Sequence, residues 1–196
     1  IATIPQFYWG KNHIPLTKDI LSMDSNIIVL IKPHPMDVTN YDNLSSSRVV
    51  IDPFHGGFDA NKYEHNPTSW RTPTNHIENL SNIMMYSELV INVASSIAID
   101  ASIFNTPGIN IAFDYETKNQ AVPSKDLYKY THYKRIIDMN GTYFSHDSEM
   151  LKTQIENILS GNDPANDNRK TMARNIYGIF DGNSIDRIVN NIEKIL

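Results

Sequence analysis

The sequence predicts an α/β chain with a Rossmann-like, three-layer α/β/α arrangement around a mostly parallel sheet, in a single domain spanning residues 1–196. Two observations carry that prediction. Short apolar runs of strand length alternate along the chain with stretches whose apolar residues recur at helical spacing, which is the pattern of successive βα units. The length, 196 residues, suits one large domain with a real core, and no internal repeat or low-complexity tract divides it.

The elements follow in order. Ile1 to Ile4 reads as the end of a first strand, followed by an aromatic-rich loop, "PQFYWGKNH". "TKDILSM" is a short helix candidate. "NIIVLIKPHP" (26–35) is the strongest strand candidate, a buried-type apolar run stopped by two prolines, and "RVVIDPF" (48–54) is the next. Residues 55–76 are polar and rich in Gly, Pro and Asn, a long loop of the kind that carries function. "HIENLSNIMMYS" (76–87) sets apolar residues at 77, 80, 83 and 84, a helical spacing.

Then come "LVINVA" as strand, "SIAIDASIFN" as helix and "GINIAFD" as strand. A second polar loop (115–133) leads to "TYF", a short strand. "DSEMLKTQIENILSG" is an amphipathic helix that opens on an acidic N-cap and closes on glycine. Two helices, "RKTMARNIYGIF" and "DGNSIDRIVNNIEKIL", end the chain over about residues 167–196.

Composition narrows the function classes. A formal net charge of -5 leaves no basic surface broad enough to draw nucleic acid or an anionic membrane. The absence of cysteine excludes a disulfide frame, a thiolate metal site and a cysteine nucleophile, and it suits a reducing cytoplasm. No apolar run reaches the roughly 18 residues of a membrane span. The start, "IATIPQFYWG", has no initiator Met and no basic region of a signal peptide, so it reads as the middle of a longer chain.

Two stretches carry candidate chemistry. In "INVASSIAIDASIFNTPGINIAFD" (91–114), Ser95 and Ser96 stand between a strand and a helix. In an open parallel sheet, ligands sit at strand carboxyl ends beside helix starts, where backbone N–H groups and hydroxyls favour phosphate. Helix capping is the ordinary alternative for both serines. Asp100 lies in an almost wholly apolar helix, and a carboxylate there needs a partner; ribose hydroxyls are one, and a capping or surface contact is another.

The second stretch is "KPHP", Lys32 to Pro35, at the end of the best strand. Flanking prolines fix the direction of His34, which can hydrogen-bond or protonate a phosphate, and alternation puts Lys32 on the same side. A structural role at the strand end is the alternative. Both stretches end strands of one predicted sheet, so they are expected to face one crevice.

Lesser candidates are His55 and Gly56 (in His55-Gly56-Gly57) after the second strand, where glycine lets backbone approach a ligand, and His76 at a helix start, able to face a base or ribose. An ordinary turn and a cap, respectively, are their competing roles. His13, in the aromatic loop, is weighed as a cleft residue; Trp9 and Trp70 read as packing anchors and Arg187 as structural. The histidines lack zinc spacing and the acids are scattered, so no tightly bound metal is expected.

"IKPHP", "YSELVINVASSIAIDASIFNTPGINI" and "DGNSIDRIVNNI" together resemble the carboxyl-terminal, donor-nucleotide-binding half of GT-B glycosyltransferases. The closest likeness is to the bacterial surface-polysaccharide group that includes sialyltransferases, Kdo transferases of capsule export and CDP-glycerol glycerophosphotransferases. The resemblance spans about residues 26–192.

It implies a single GT-B half in which His34 contacts donor phosphate as the catalytic group. Ser95 and Ser96 would line the same phosphate site and Asp100 would bind ribose; Lys32, from its own place beside His34, is expected to add charge to that site. Thr106-Pro107-Gly108 matches the small-residue turn after the helix.

No Glu-x7-Glu pair of the retaining type is present, so an inverting displacement at the sugar anomeric carbon is implied. The implied substrate is a CMP-, CDP- or UDP-linked donor, with no other cofactor. A glycan or lipid-linked acceptor would be held by an amino-terminal domain outside this chain. The implied setting is the cytoplasm, with peripheral association at the inner face of the membrane.

Two alternatives stay open at this point. One is a nucleotide-sugar epimerase of the same fold, resembling UDP-GlcNAc 2-epimerase, which would need no acceptor. The other is a non-catalytic nucleotide-binding module.

Overall fold

The computed structural model describes residues 1–34, 37, 39–44, 46–52, 74–116 and 120–195. Among the described residues five short strands are all parallel to their neighbours: β1 (Val29–Ile31) pairs with β2 (Val49–Ile51), and β3 (Val90–Asn92), β4 (Gly108–Ile111) and β5 (Tyr143–Ser145) form a second ladder. The amino-terminal segment joins the two ladders. Ala2 bridges Lys32 on one side and Asn92 on the other, both in parallel sense. Its amide donates to Ile91 O at 2.9 Å, the Thr3 amide donates to Lys32 O at 3.0 Å, and the Lys32 amide returns a bond to Ile1 O at 2.8 Å.

Counting that segment as the first strand, the spatial order becomes 3-2-1-4-5-6, the doubly wound order whose ligand crevice opens where the winding reverses. The reversal falls between the amino-terminal segment and β3.

Helices cover both faces. The chain runs through α1 (Gln6–Trp9), α2 (His13–Leu21), α3 (His76–Tyr86), α4 (Ile97–Ala101), α5 (Ser124–Leu127), α6 (Thr131–Asp138), α7 (Ser148–Leu159), α8 (Asn166–Tyr177) and α9 (Ser184–Glu193). Strand side chains alternate between the faces. On one face Ile91, Val93, Ile109 and Ile111 meet Trp9, Leu16 and Ile20 from the start of the chain and Leu151, Ile155 and Ile158 of α7. On the other, Val90 packs with Met84 of α3 and Ala101 of α4, and Ala112 with Tyr128, Tyr133, Ile136 and Met172. α9 buries none of its residues.

A strand or bridge overlaps every stretch read as a strand, though over fewer residues: β1 takes only Val29–Ile31 of 26–35, and the first stretch only bridges at Ala2. Among the helices there are three corrections. α1 lies within "PQFYWGKNH", a loop in the sequence-based expectation. The helix expected at "TKDILSM" begins earlier, at His13. The stretch 115–133, read as a polar loop, contains α5 and the start of α6. The predicted acidic N-cap of α7 is Asp147, whose Oδ1 accepts from the Met150 amide at 2.7 Å. Among the described residues no helix is long and apolar enough to cross a membrane.

Candidate functional site

Three neighbouring strand ends in the sheet carry the candidate residues. At the carboxyl end of β1, Pro33 is buried and His34 half-buried. The His34 amide donates to Thr3 Oγ1 at 2.8 Å, tying this end of β1 to the amino-terminal segment beside it. The His34 carbonyl accepts from the Asp37 amide at 2.8 Å. The Asp37 carboxylate is held by the Tyr41 hydroxyl (2.6 Å) and the Thr39 amide (3.0 Å). Burial holds the His34 ring below the ordinary histidine range, and the Asp37 charge works in the opposite direction. A neutral imidazole at pH 7 binds phosphate as a hydrogen-bond donor, not as a cation.

One strand over, past the amino-terminal segment, β3 ends in the serine turn. Ala94 sits in the left-handed region (φ 44), a conformation that costs a non-glycine residue about 1–2 kcal/mol and is held only where surroundings impose it. The holding groups are present. The Ala94 amide donates to Tyr128 OH at 2.8 Å, and that hydroxyl donates to Ile111 O at 2.9 Å. The Ser95 amide donates to Asn92 Oδ1 at 3.0 Å. The side chains of Tyr128 and Asn92 therefore shape the turn that presents the serines.

The capping alternative for the serines is weak in this geometry. Ser96 is the N-cap of α4, yet its side chain makes no cap hydrogen bond and is exposed. Ser95 Oγ accepts from the Ile97 amide at 3.4 Å, a long contact. α4 is only five residues, followed by a 3-10 turn over Ser102–Phe104, so its macrodipole is small and the hydroxyls and amides, not a long helix, must supply any anion affinity.

Asp100 lies one turn beyond Ser96, on the same side of α4. Its carboxylate has a protein partner: the Tyr177 hydroxyl, from the end of α8, donates to Oδ1. Lys32 is also engaged, its Nζ 2.6 Å from Asp52 Oδ2, with both side chains nearly buried at 11% and 3% exposure. Asn79 of α3 adds a 3.3 Å bond to Asp52 Oδ1. Any phosphate reached by Lys32 would share it with Asp52. The two flanking strands, β1 and β3, stand about 10 Å apart across the amino-terminal segment, at the usual 4.7–4.9 Å per strand. His34 and the serines thus end strands on either side of it.

The remaining candidates sort cleanly. His76 opens α3 and is half-buried. His55, Gly56, Gly57 and Trp70 lie outside the described residues. Trp9 is fully buried and anchors the end of α1 by donating from Nε1 to Asp114 Oδ1 at 2.8 Å. His13 is a correction. It is not a cleft residue but 1% exposed in the core, packed edge-to-face on Trp9, where its Nε2 accepts from the Ile4 amide at 3.2 Å. The helix that begins at His13 turns its first residue inward, which the loop expectation did not foresee.

The sequence reading missed Thr3, Asn92, Tyr128 and Tyr177. Asn92 alone left a local signal, as a polar residue inside an otherwise apolar strand, "VIN". The three others act through contacts with residues remote in the chain.

Comparison with known families gives a match over most of the chain. The family described as CDP-Glycerol:Poly(glycerophosphate) glycerophosphotransferase matches residues 7–194. No curated protein and no solved structure matches the chain.

Proposed function

The chain belongs to the CDP-glycerol:poly(glycerophosphate) glycerophosphotransferase family, and from that premise we propose that its crevice holds the diphosphate of a CDP-linked donor during transfer to a cell-surface polymer. Membership supports transferase chemistry of the glycosyltransferase-like kind. The observation that carries the site is the placement of His34 and the Ser95–Ser96 turn on the two strands flanking the amino-terminal segment, at the reversal point of the sheet.

With glycerophosphate as the transferred group, the reacting atom is phosphorus. An acceptor hydroxyl attacks the glycerol-bearing phosphate and forms a new P–O bond. The bridging P–O bond to CMP breaks, CMP leaves with the negative charge, and the hydroxyl proton passes to a base. Glycerol has no anomeric carbon, so inversion at carbon does not arise for this donor.

His34 donates a hydrogen bond to the departing phosphate and, as charge develops there, becomes the better proton donor. Ser95 and Ser96 present hydroxyls to the same oxygens, a preorganised set whose stabilisation grows as the bond breaks. Asp100 faces the ribose, and the donor is held without a tightly bound metal. The acceptor polymer draws the working enzyme to the inner face of the membrane by peripheral association.

Titration calorimetry with CDP-glycerol and with CDP, in the presence of EDTA, tests this reading. Binding is expected, and His34→Ala is expected to weaken it roughly 10- to 100-fold, the cost of about 1.5–3 kcal/mol for a hydrogen bond to a charged group. No binding at millimolar CDP, or binding indifferent to His34→Ala, sinks it.

A further inference from the structure

Asp100 and Tyr177 stand 77 residues apart in the chain, yet the structure joins them by a hydrogen bond one helical turn beyond the serine turn. Tyr177 is the last residue of α8, 40% exposed, and Gly178 with φ +78 ends the helix directly behind it. Its position is imposed from the other end of α8. Arg169 is fully buried, donates from Nε to Asn105 O at 3.0 Å, and pairs with Asp163 through both terminal nitrogens. Asp163 also accepts from the Tyr143 hydroxyl at 2.6 Å. Met172, one turn further along, is buried against Gly141, where a Cβ would come within 2.9 Å of its sulfur. From Arg169 to Tyr177 is about 12 Å of rigid helix at 1.5 Å per residue.

A carboxylate on a short helix would otherwise sample several rotamers. Fixed by a helix-borne hydroxyl at Oδ1, it keeps one, and Oδ2 accepts no hydrogen bond from a described residue. Burial and the neighbouring Asp100 charge both raise the Tyr177 hydroxyl well above the ordinary tyrosine range, so it remains a donor throughout the neutral region.

We propose that Tyr177 is a positioning residue of the nucleotide site: it holds Oδ1 of Asp100 so that Oδ2 is presented to the 2′-hydroxyl of the donor ribose. The proposal rests on the reading of the crevice as the donor site, and it adds to that site a residue from the carboxyl-terminal helices. Ser96 and Asp100 share one side of α4 a turn apart, so phosphate at the serine turn sets the ribose level with the carboxylate. Preorganising the acceptor lowers the ordering cost of binding and makes recognition depend on the 2′-hydroxyl.

The experiment compares CDP with 2′-deoxy-CDP by calorimetry on the whole chain, in the wild type and in Tyr177→Phe and Asp100→Asn. The wild type is expected to favour the ribonucleotide about tenfold, the worth of one hydrogen bond to a charged acceptor. Asp100→Asn should erase most of that preference. Tyr177→Phe should cut it several-fold while leaving 2′-deoxy-CDP affinity unchanged, which also shows that the variant is folded. A wild-type ratio near one, or a Tyr177→Phe ratio equal to the wild-type value, overturns the proposal while the donor-site reading stands. Failure of CDP itself to bind removes the donor-site reading and the proposal together.

Discussion

At Ser96 two ordinary uses of a helix-start serine separate. A capping hydroxyl accepts from an amide of the first turn, and its removal costs about 1 kcal/mol. Ser96 makes no such bond and is exposed, so Ser96→Ala is expected to leave the urea midpoint within about 0.5 kcal/mol of the wild type. Donor affinity should meanwhile fall about tenfold, measured by calorimetry with CDP. A stability loss of about 1 kcal/mol with affinity intact would return Ser96 to capping. What was legible at this scale were candidates announced by their neighbours: two serines at a strand end, and a histidine between prolines. Tyr177 and Tyr128 announce nothing, because each acts on a residue that only folding brings near, as do the partners of Lys32. For Asp100 the sequence required a partner without showing that a tyrosine would be one.

The element that presents these residues is α4, and its seat on the sheet depends on Gly108 at the start of β4. A Cβ added there would lie 2.9 Å from Ala98 Cβ and 3.2 Å from Ala98 Cα, atoms of the helix itself that have no freedom to swing aside. Gly108→Ala must therefore push α4 off β4, at a cost of about 1–3 kcal/mol for overpacking. Ser96 and Asp100 move with it. The expected outcome is a lower urea midpoint together with weaker CDP binding; a variant with native values in both would show that α4 tolerates the displacement. Adding Ala98→Gly in the same chain should recover part of each loss. The Thr-Pro-Gly turn was legible as a motif, but the reason for its glycine, a close helix approach, required the packed structure. α5 and α6 escaped for a different reason. A four-residue helix shows no period, and in "THYKRIID" the inward residues Tyr133 and Ile136 stand among basic and polar ones that read as loop.

For the whole molecule the decisive event is the insertion of the amino-terminal segment between β1 and β3, which unites two ladders into one sheet and creates the reversal point. Sequence identified the strands but not their order, since parallel neighbours are fixed by register between segments tens of residues apart. His13 secures that insertion: its Nε2 accepts from the Ile4 amide, and it is packed against Trp9 with 1% exposure. Burial lowers its pKa to about 4 from an ordinary 6.5, with the Asp37 charge opposing the shift. The sign follows directly. Between those values the unfolded chain binds a proton that the folded chain refuses, so folding stability is full above about pH 6.5 and is lost as pH falls toward 4. A difference of about 2.5 units corresponds to on the order of 3 kcal/mol for a fully buried group. His34, also lowered, adds in the same direction. The carboxylates of Asp19 and Asp163, both lowered from 3.8, act only below that window. Urea midpoints measured from pH 7.5 to 4.5 should therefore fall steeply in the wild type and less steeply in His13→Gln, which isolates the imidazole from the other groups. Equal slopes in the two chains would mean that His13 accepts its proton inside the fold, and that the amino-terminal segment is not held by a neutral ring.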